Sequence, residues 1–304
     1  SPNPEEPAAL AMAVEKAKET DAELVMASDP DADRVGAAVK NNEGEWVLLN
    51  GNQTALMFVY YLITRWKELG KINGKEYIVK TIVTTETIKT IAERNGVEMY
   101  DVYTGFKWIA NVMRENEGKK NYIGGGEESY GFLCEDFVRD KDAVSACVIL
   151  AEIAAWAKDQ GLSLYQLLQK IYVEYGFSKE KGISVVKKGK SGAEEIEAMM
   201  KKFRENPLTE IAGSKVTYFY DYSTLKGKDY AENETVTFDM PTTSNVLQYF
   251  TEDNTKVSIR PSGTEPKIKF YCEVHSKVKS IDELPEAEKA AEEKINQIKA
   301  SLGI

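Results

Sequence analysis

Tyr77-Ile78-Val79-Lys80-Thr81-Ile82-Val83 reads as a buried strand and is the first of three such runs. Residues 97–103 and 121–124 read the same way, and helical stretches of about ten residues separate them. Strands that alternate with helices are the pattern of βαβ units, so this part is expected to be a doubly wound α/β domain with a mixed sheet. Working outward, residues 53–69 form a helix with Leu56, Tyr60, Ile63 and Lys67 on one stripe. Before it lie two strands, the first starting at Val35, on either side of a turn at 41–44. After it, helices at 141–158, with Asp140 available as a cap, and at 163–175 close the domain.

Beyond Gly176 the pattern changes to short alternating runs at 235–238, 246–250, 256–259 and 267–274, then a charged helix at 282–302. This predicts an α+β C-terminal domain with an antiparallel sheet, its boundary near 176–182. At the other end, Asn3 can cap a helix, Pro4 suits its first position and Glu6 can return a capping-box bond. That helix runs to about residue 19 with Leu10, Ala13, Val14 and Ala17 at helical spacing, and residues 23–27 follow as a short strand. One helix and one strand do not make a domain, so the chain is expected to begin inside one.

The 304 residues, 42% of them hydrophobic, suffice for a substantial core and for two or three domains. No apolar run approaches the ~20 residues of a membrane span, and no basic-then-apolar leader is present, so a cytoplasmic protein without a membrane partner is expected. A net charge of -10 argues against a general nucleic-acid surface. Cys134, Cys147 and Cys272 are odd in number and lack C-x-x-C spacing, which indicates neither a disulfide framework nor a structural zinc site. The single histidine, His275, sits in an alternating stretch and reads as structural.

Four loops carry candidate chemistry. Asp29-Pro30-Asp31-Ala32-Asp33-Arg34 follows a strand, and three carboxylates at alternate positions of a tight loop can converge on a hard cation. An EF-hand is excluded, because its sixth and twelfth positions hold Arg34 and Lys40 instead of Gly and Glu. Arg260-Pro261-Ser262-Gly263-Thr264-Glu265-Pro266-Lys267 offers a guanidinium, hydroxyls and turn N–H groups to a phosphate, with Lys267 and Lys269 adding positive potential. Gly124-Gly125-Gly126-Glu127-Glu128-Ser129-Tyr130-Gly131 is no dinucleotide fingerprint. Its glycines permit close approach to a ligand, and its Glu and Ser suit sugar hydroxyls. Lys107, in Thr104-Gly105-Phe106-Lys107-Trp108, stands in a helix's first turn, where the macrodipole disfavours a cation, so a phosphate or acid–base role competes with that of a surface lysine.

In order, spacing and nearly all letters these loops resemble the phosphohexomutase superfamily of phosphoglucomutases and phosphomannomutases. The resemblance implies a truncated second domain over 1–36 with the metal loop, a third, sugar-recognising domain over 37–177 and a fourth, phosphate-binding domain over 178–304. It implies Asp29, Asp31 and Asp33 as Mg²⁺ ligands, and Arg34 beside the reacting phosphoryl group. Glu127 and Ser129 would hold sugar hydroxyls, Arg260, Ser262, Gly263 and Thr264 the phosphate not being transferred, and Lys107 an acid–base or phosphate contact. Closure of the domains on the substrate is likewise implied.

The implied reaction is interconversion of glucose 1-phosphate and glucose 6-phosphate through a bisphosphate, with glucose 1,6-bisphosphate as activator of the intact enzyme. Pro30, the Glu127-Glu128-Ser129-Tyr130 loop and Arg139-Asp140-Lys141-Asp142 look more like the phosphoglucomutase and phosphopentomutase branch. Phosphomannomutase, phosphopentomutase, synthesis of glucose 1,6-bisphosphate and a non-catalytic phosphosugar-binding module are the alternatives on this scaffold. A metal-dependent phosphatase with Asp29 as nucleophile leaves the Glu127 and Arg260 loops unexplained. The family's phosphoserine lies in a Thr-Ala-Ser-His-Asn-Pro-like loop, and no such string occurs here, so an inactive fragment lacking its N-terminal domain is expected.

Overall fold

The computed structural model describes residues 2–187, 189–263 and 265–304, which divide into two compact units between Tyr175 and Gly176. The first unit opens with α1 (Pro7–Glu19), β1 (Leu24–Ser28), β2 (Val35–Lys40) and β3 (Trp46–Leu49). The helix starts later than expected, because Asn3 spends its side chain on the Glu5 N–H and it is Pro7 that takes the first turn. β1, β2 and β3 form an antiparallel sheet on which α1 buries Leu10 and Ala17, while Ala13 stays exposed. The division expected at 36/37 falls inside β2, which pairs with β1 on one side and β3 on the other.

There follow α2 (Gly51–Glu68), β4 (Glu76–Thr81), α3 (Thr87–Arg94), β5 (Glu98–Val102), α4 (Phe106–Asn116), β6 (Asn121–Gly126), β7 (Phe132–Cys134), α5 (Ala143–Asp159) and α6 (Leu164–Tyr175). The sheet order is β5-β4-β6-β7, parallel except for the β6/β7 pair, as the mixed doubly wound reading expects. Successive residues of a strand face opposite sides. Tyr77 and Val79 of β4 therefore pack with Phe106, Ile109, Val112 and Met113 of α4 on one face, while Leu62 of α2 lies against Gly124 on the other. Asn50 closes a capping box with Gln53 at the start of α2, and Asp142, not Asp140, caps α5 through the Val144 and Ser145 N–H groups.

The second unit contains β8 (Phe177–Val186), α7 (Gly189–Glu205), β9 (Glu210–Ile211), β10 (Ser214–Asp221), β11 (Lys226–Asp229), β12 (Glu234–Thr237), β13 (Leu247–Thr251), β14 (Lys256–Pro261), β15 (Lys267–Ser276) and α8 (Leu284–Leu302). Its strands form one antiparallel sheet in the order β12-β11-β10-β13-β14-β15-β8, with β9 beside β10. α7 packs on it through Phe203 against Phe270, ring centroids 6.3 Å apart, and α8 buries Ala291, Ile295, Ile298 and Leu302. No helix among the described residues is long and apolar enough to cross a membrane.

A buried charged cluster joins β14 and β15. Lys256 lies 2.9 Å from one Glu273 oxygen and His275 Nε2 lies 2.7 Å from the other. Burial opposes the imidazolium, but the adjacent Glu273 carboxylate, with Glu180 on β8, outweighs both that and the Lys256 charge, raising the His275 pKa above its ordinary 6.5. A group whose folded pKa is raised stabilises the fold fully below its unfolded value and loses that contribution as pH climbs through the folded one. Urea unfolding should therefore show stability falling as pH rises above 6.5, and His275→Gln should flatten that limb.

Candidate active site

The acidic loop is the connection of the β1–β2 hairpin, so these carboxylates sit on an antiparallel ribbon and not at the end of a parallel strand. Asp29 organises it: its Oδ1 accepts from the N–H groups of Asp33 and Arg34 at 3.1 and 3.0 Å, and Ala32 takes the left-handed conformation, φ 55°. The turn brings one oxygen each of Asp29, Asp31 and Asp33 within 4.8 Å of one another. Asp33 Oδ1 is buried and has no hydrogen-bond partner. Oxygen-only donors, one of them orphaned, fit a hard divalent cation such as Mg²⁺.

Two cations flank the cluster. Arg34 Nη1 donates to Glu5 at 3.1 Å, while its Nε stands 3.8 Å from Asp29 and 3.7 Å from Asp33. Lys141 Nζ pairs with Asp33 Oδ2 at 2.8 Å, and Ala143 N–H, in the first turn of α5, donates to Ala32 O at 2.9 Å. Burial works against the Lys141 charge, but Asp33, Asp140 and Glu127 more than offset it and raise its pKa. The Lys141 stem lies against Gly131 and so ties the acidic loop to the Glu127 loop, and Val35 N–H adds a main-chain bond to Tyr130 O at 3.1 Å. In the sequence Lys141 stands out only through the family resemblance; its signal is a lone lysine inside an acidic string just before a helix.

The glycines of the third loop serve the protein's own packing. A Cβ at Gly125 would overlap the Val79 carbonyl, and one at Gly126 would lie 2.7 Å from Gly131 O. Their expected role in close approach to a ligand is thus taken by β4 and by the loop itself. Glu127 is buried and accepts from Gly105 N–H at 2.7 Å, holding the turn that starts α4, while Ser129 is half-buried on the same loop. Lys107 is exposed in the first turn of α4, its ammonium 5.1 Å from the Trp108 ring centroid.

The Arg260 loop belongs to the second unit and is the β14–β15 hairpin connection. Ser262 N–H donates to Lys267 O at 2.8 Å, and Ser262 Oγ accepts from Glu265 N–H at 3.3 Å. Lys267 is paired with Glu265 at 2.5 Å, so its charge is already offset, and the same lysine, with Lys269, holds the Glu265 carboxyl below its ordinary range. A Cβ at Gly263 would meet open space. Thr264 lies outside the described residues. A cleft of about 600 Å³ opens beside the loop, lined by Ile196, Met200, Arg204, Asn245, Ser262 and Glu265 among others.

Three family models match the chain along its length. "Phosphoglucomutase/phosphomannomutase, alpha/beta/alpha domain II" matches residues 1–44, "alpha/beta/alpha domain III" of the same family matches 50–175, and its "C-terminal domain" matches 184–291. The chain belongs to the phosphoglucomutase/phosphomannomutase family and carries its domain III and C-terminal domain with a segment of its domain II. It is 38% identical over 271 residues to a phosphoglucomutase of Staphylococcus aureus strain MRSA252, covering 89% of this chain and 48% of that protein. It is 34% identical over 275 residues to a phosphoglucomutase of Staphylococcus haemolyticus, covering 90% and 49%. The chain thus spans about half the length of the curated relatives it matches.

Among solved structures, a phosphoglucomutase/phosphomannomutase family protein of Burkholderia thailandensis shares the fold at TM-score 0.62 and 19% identity, covering 99% of this chain and 52% of that one. A putative phosphomannomutase of Thermus thermophilus does so at 0.58 and 20%, covering 95% and 50%.

Substitutions at two positions probe this arrangement. Gly131→Ala would put a Cβ into the Lys141 stem, so it should cost about 1–3 kcal/mol in urea unfolding and separate Lys141 from Asp33. Glu127→Ala should cost about 1–2 kcal/mol by freeing the Gly105 N–H, and Glu127→Gln should recover most of that.

Proposed function

We propose that this chain supplies the metal, sugar and phosphate sites of a phosphosugar mutase that interconverts glucose 1-phosphate and glucose 6-phosphate through a bisphosphate. The observation that supports it most is the convergence of Asp29, Asp31 and Asp33 with Arg34 and Lys141 at one hairpin, next to the Glu127 loop. Asp29, Asp31 and Asp33 would hold Mg²⁺, which when bound supplies Lewis-acid charge to phosphoryl oxygens. Arg34 adds a fixed positive charge where the transferring group's charge develops. Glu127 and Ser129 orient sugar hydroxyls, with Glu127 doing so from an oxygen other than the one on Gly105.

Lys107 contributes a mobile ammonium as proton donor or phosphate contact. Arg260, Ser262, Gly263 and Thr264 hold the phosphate that stays on the sugar, the guanidinium as a fork of donors and the loop through N–H and O–H groups. The attacking serine of such a mutase has to come from outside these 304 residues, since their single histidine, His275, precedes Ser276 and no Ser-His-Asn string occurs. The choice of glucose phosphate follows the staphylococcal relatives, which are named phosphoglucomutases.

The test is a coupled assay of glucose 1-phosphate conversion with Mg²⁺ and a trace of glucose 1,6-bisphosphate. It is run on the 304-residue chain and on a fusion with the N-terminal part of the Staphylococcus aureus relative. Turnover only in the fusion, lost about a thousandfold or more in its Asp31→Asn variant, is the expected result. Turnover by the chain alone, or none in the fusion while the sugar phosphate still binds, overturns it.

A further inference from the structure

Arg34 has three carboxylates within 4 Å and hydrogen-bonds to one of them. Its Nη1 reaches Glu5 at 3.1 Å, whereas its Nε stands 3.8 Å from Asp29 Oδ2 and 3.7 Å from Asp33 Oδ1, beyond hydrogen-bond range. An unanchored guanidinium beside two carboxylates closes to form charge-assisted bonds at about 2.8 Å, bidentate where the fork allows it. Asp33 Oδ1 is buried and unpartnered, which is the state such closure would end. Something holds the guanidinium back.

Glu5 is placed to do so. It lies on the N-terminal turn, which is fixed by Asn3: its side chain accepts from Glu5 N–H at 3.2 Å and its carbonyl from Glu6 N–H at 3.1 Å. The turn is pressed onto the start of β2, where Pro4 is buried and an added Cβ on Gly36 would come within 2.7 Å of the Pro4 Cβ. Glu5 is thus presented from a packed segment 29 positions away from Arg34, not from a free tail.

We propose that Glu5 is the positioning residue of Arg34, holding its guanidinium off Asp29 and Asp33 so that their oxygens stay available to a divalent cation. Without Glu5, Arg34 becomes an internal competitor for the cation's ligands. The inference rests on the reading of Asp29, Asp31 and Asp33 as a cation site, and it needs no catalysis to be tested.

The experiment is Mn²⁺ titration of the 304-residue chain followed by electron paramagnetic resonance, Mn²⁺ taking the same oxygen ligands as Mg²⁺. The variants are Glu5→Gln, Glu5→Asp, Arg34→Gln and the double Glu5→Gln/Arg34→Gln. Removing a negative charge weakens cation binding by itself, so the double-mutant cycle carries the test. Glu5→Gln should weaken binding about fivefold in the wild-type background, the factor that corresponds to an ion pair of about 1 kcal/mol, and by less than about twofold when Arg34 is already Gln.

Glu5→Asp, which keeps the charge and shortens the reach, should weaken binding nearly as much as Glu5→Gln. Equal losses in both backgrounds, or a wild-type-like Glu5→Asp, would reduce Glu5 to a surface charge and overturn the proposal while leaving the cation site intact. Absence of Mn²⁺ binding in the wild-type chain would overturn the cation site itself.

Discussion

The ion pair between Lys141 and Asp33 is the contact on which the arrangement of the first unit's site depends. It fixes one of three carboxylates that would otherwise repel one another on a short hairpin, and like charges about 4 Å apart are costly wherever water is partly excluded. It exists because Gly131 leaves room for the lysine stem to cross the loop. The neighbouring main-chain bonds, Ala143 to Ala32 and Val35 to Tyr130, then hold the hairpin and the Glu127 loop as one body. The position of the acidic loop is therefore set by residues about a hundred positions downstream.

The acidic loop and the Arg260 loop use the same construction. Each is a hairpin connection tightened by one of its own side chains, Asp29 in the first unit and Ser262 in the second. In each, a nearby cation is already engaged by a glutamate, Arg34 by Glu5 and Lys267 by Glu265. The protein's own carboxylates thus keep these cations oriented, with the rotamer entropy of both side chains already spent in folding.

Much of this was legible in the sequence where the signal is local. The run from Tyr77 to Val83 is apolar enough to be a central strand, and the alternate aspartates of 29–33 can converge only on a turn. What was not legible depends on partners remote in the chain. β2 looks the same whether it opens a new domain or closes an old sheet, so the division at 36/37 had no local signature against it. Gly124, Gly125 and Gly126 look like a ligand loop until β4 and Phe132 are seen to fill the space beside them. Lys141 and Glu5 are ordinary charged residues whose meaning comes from Asp33 and Arg34, and Asn3 and Pro4 imitate a helix start because Pro7 repeats the same signal one turn later.

β8 and β15, the first and last strands of the second unit, pair along their whole lengths, from Phe177 with Ser276 to Val186 with Lys267. A ribosome delivers β8 long before β15 exists, and through that interval the ten-residue strand has no partner for either edge. Its sequence suits the wait. Lys179, Glu180 and Lys181 followed by Gly182 make a poor template for another chain, the charged and irregular character that keeps open strand edges from aggregating. The same residues find their use once synthesis is complete, when Lys179 pairs with Glu288 and Glu292 of α8 and the unit closes on its own beginning.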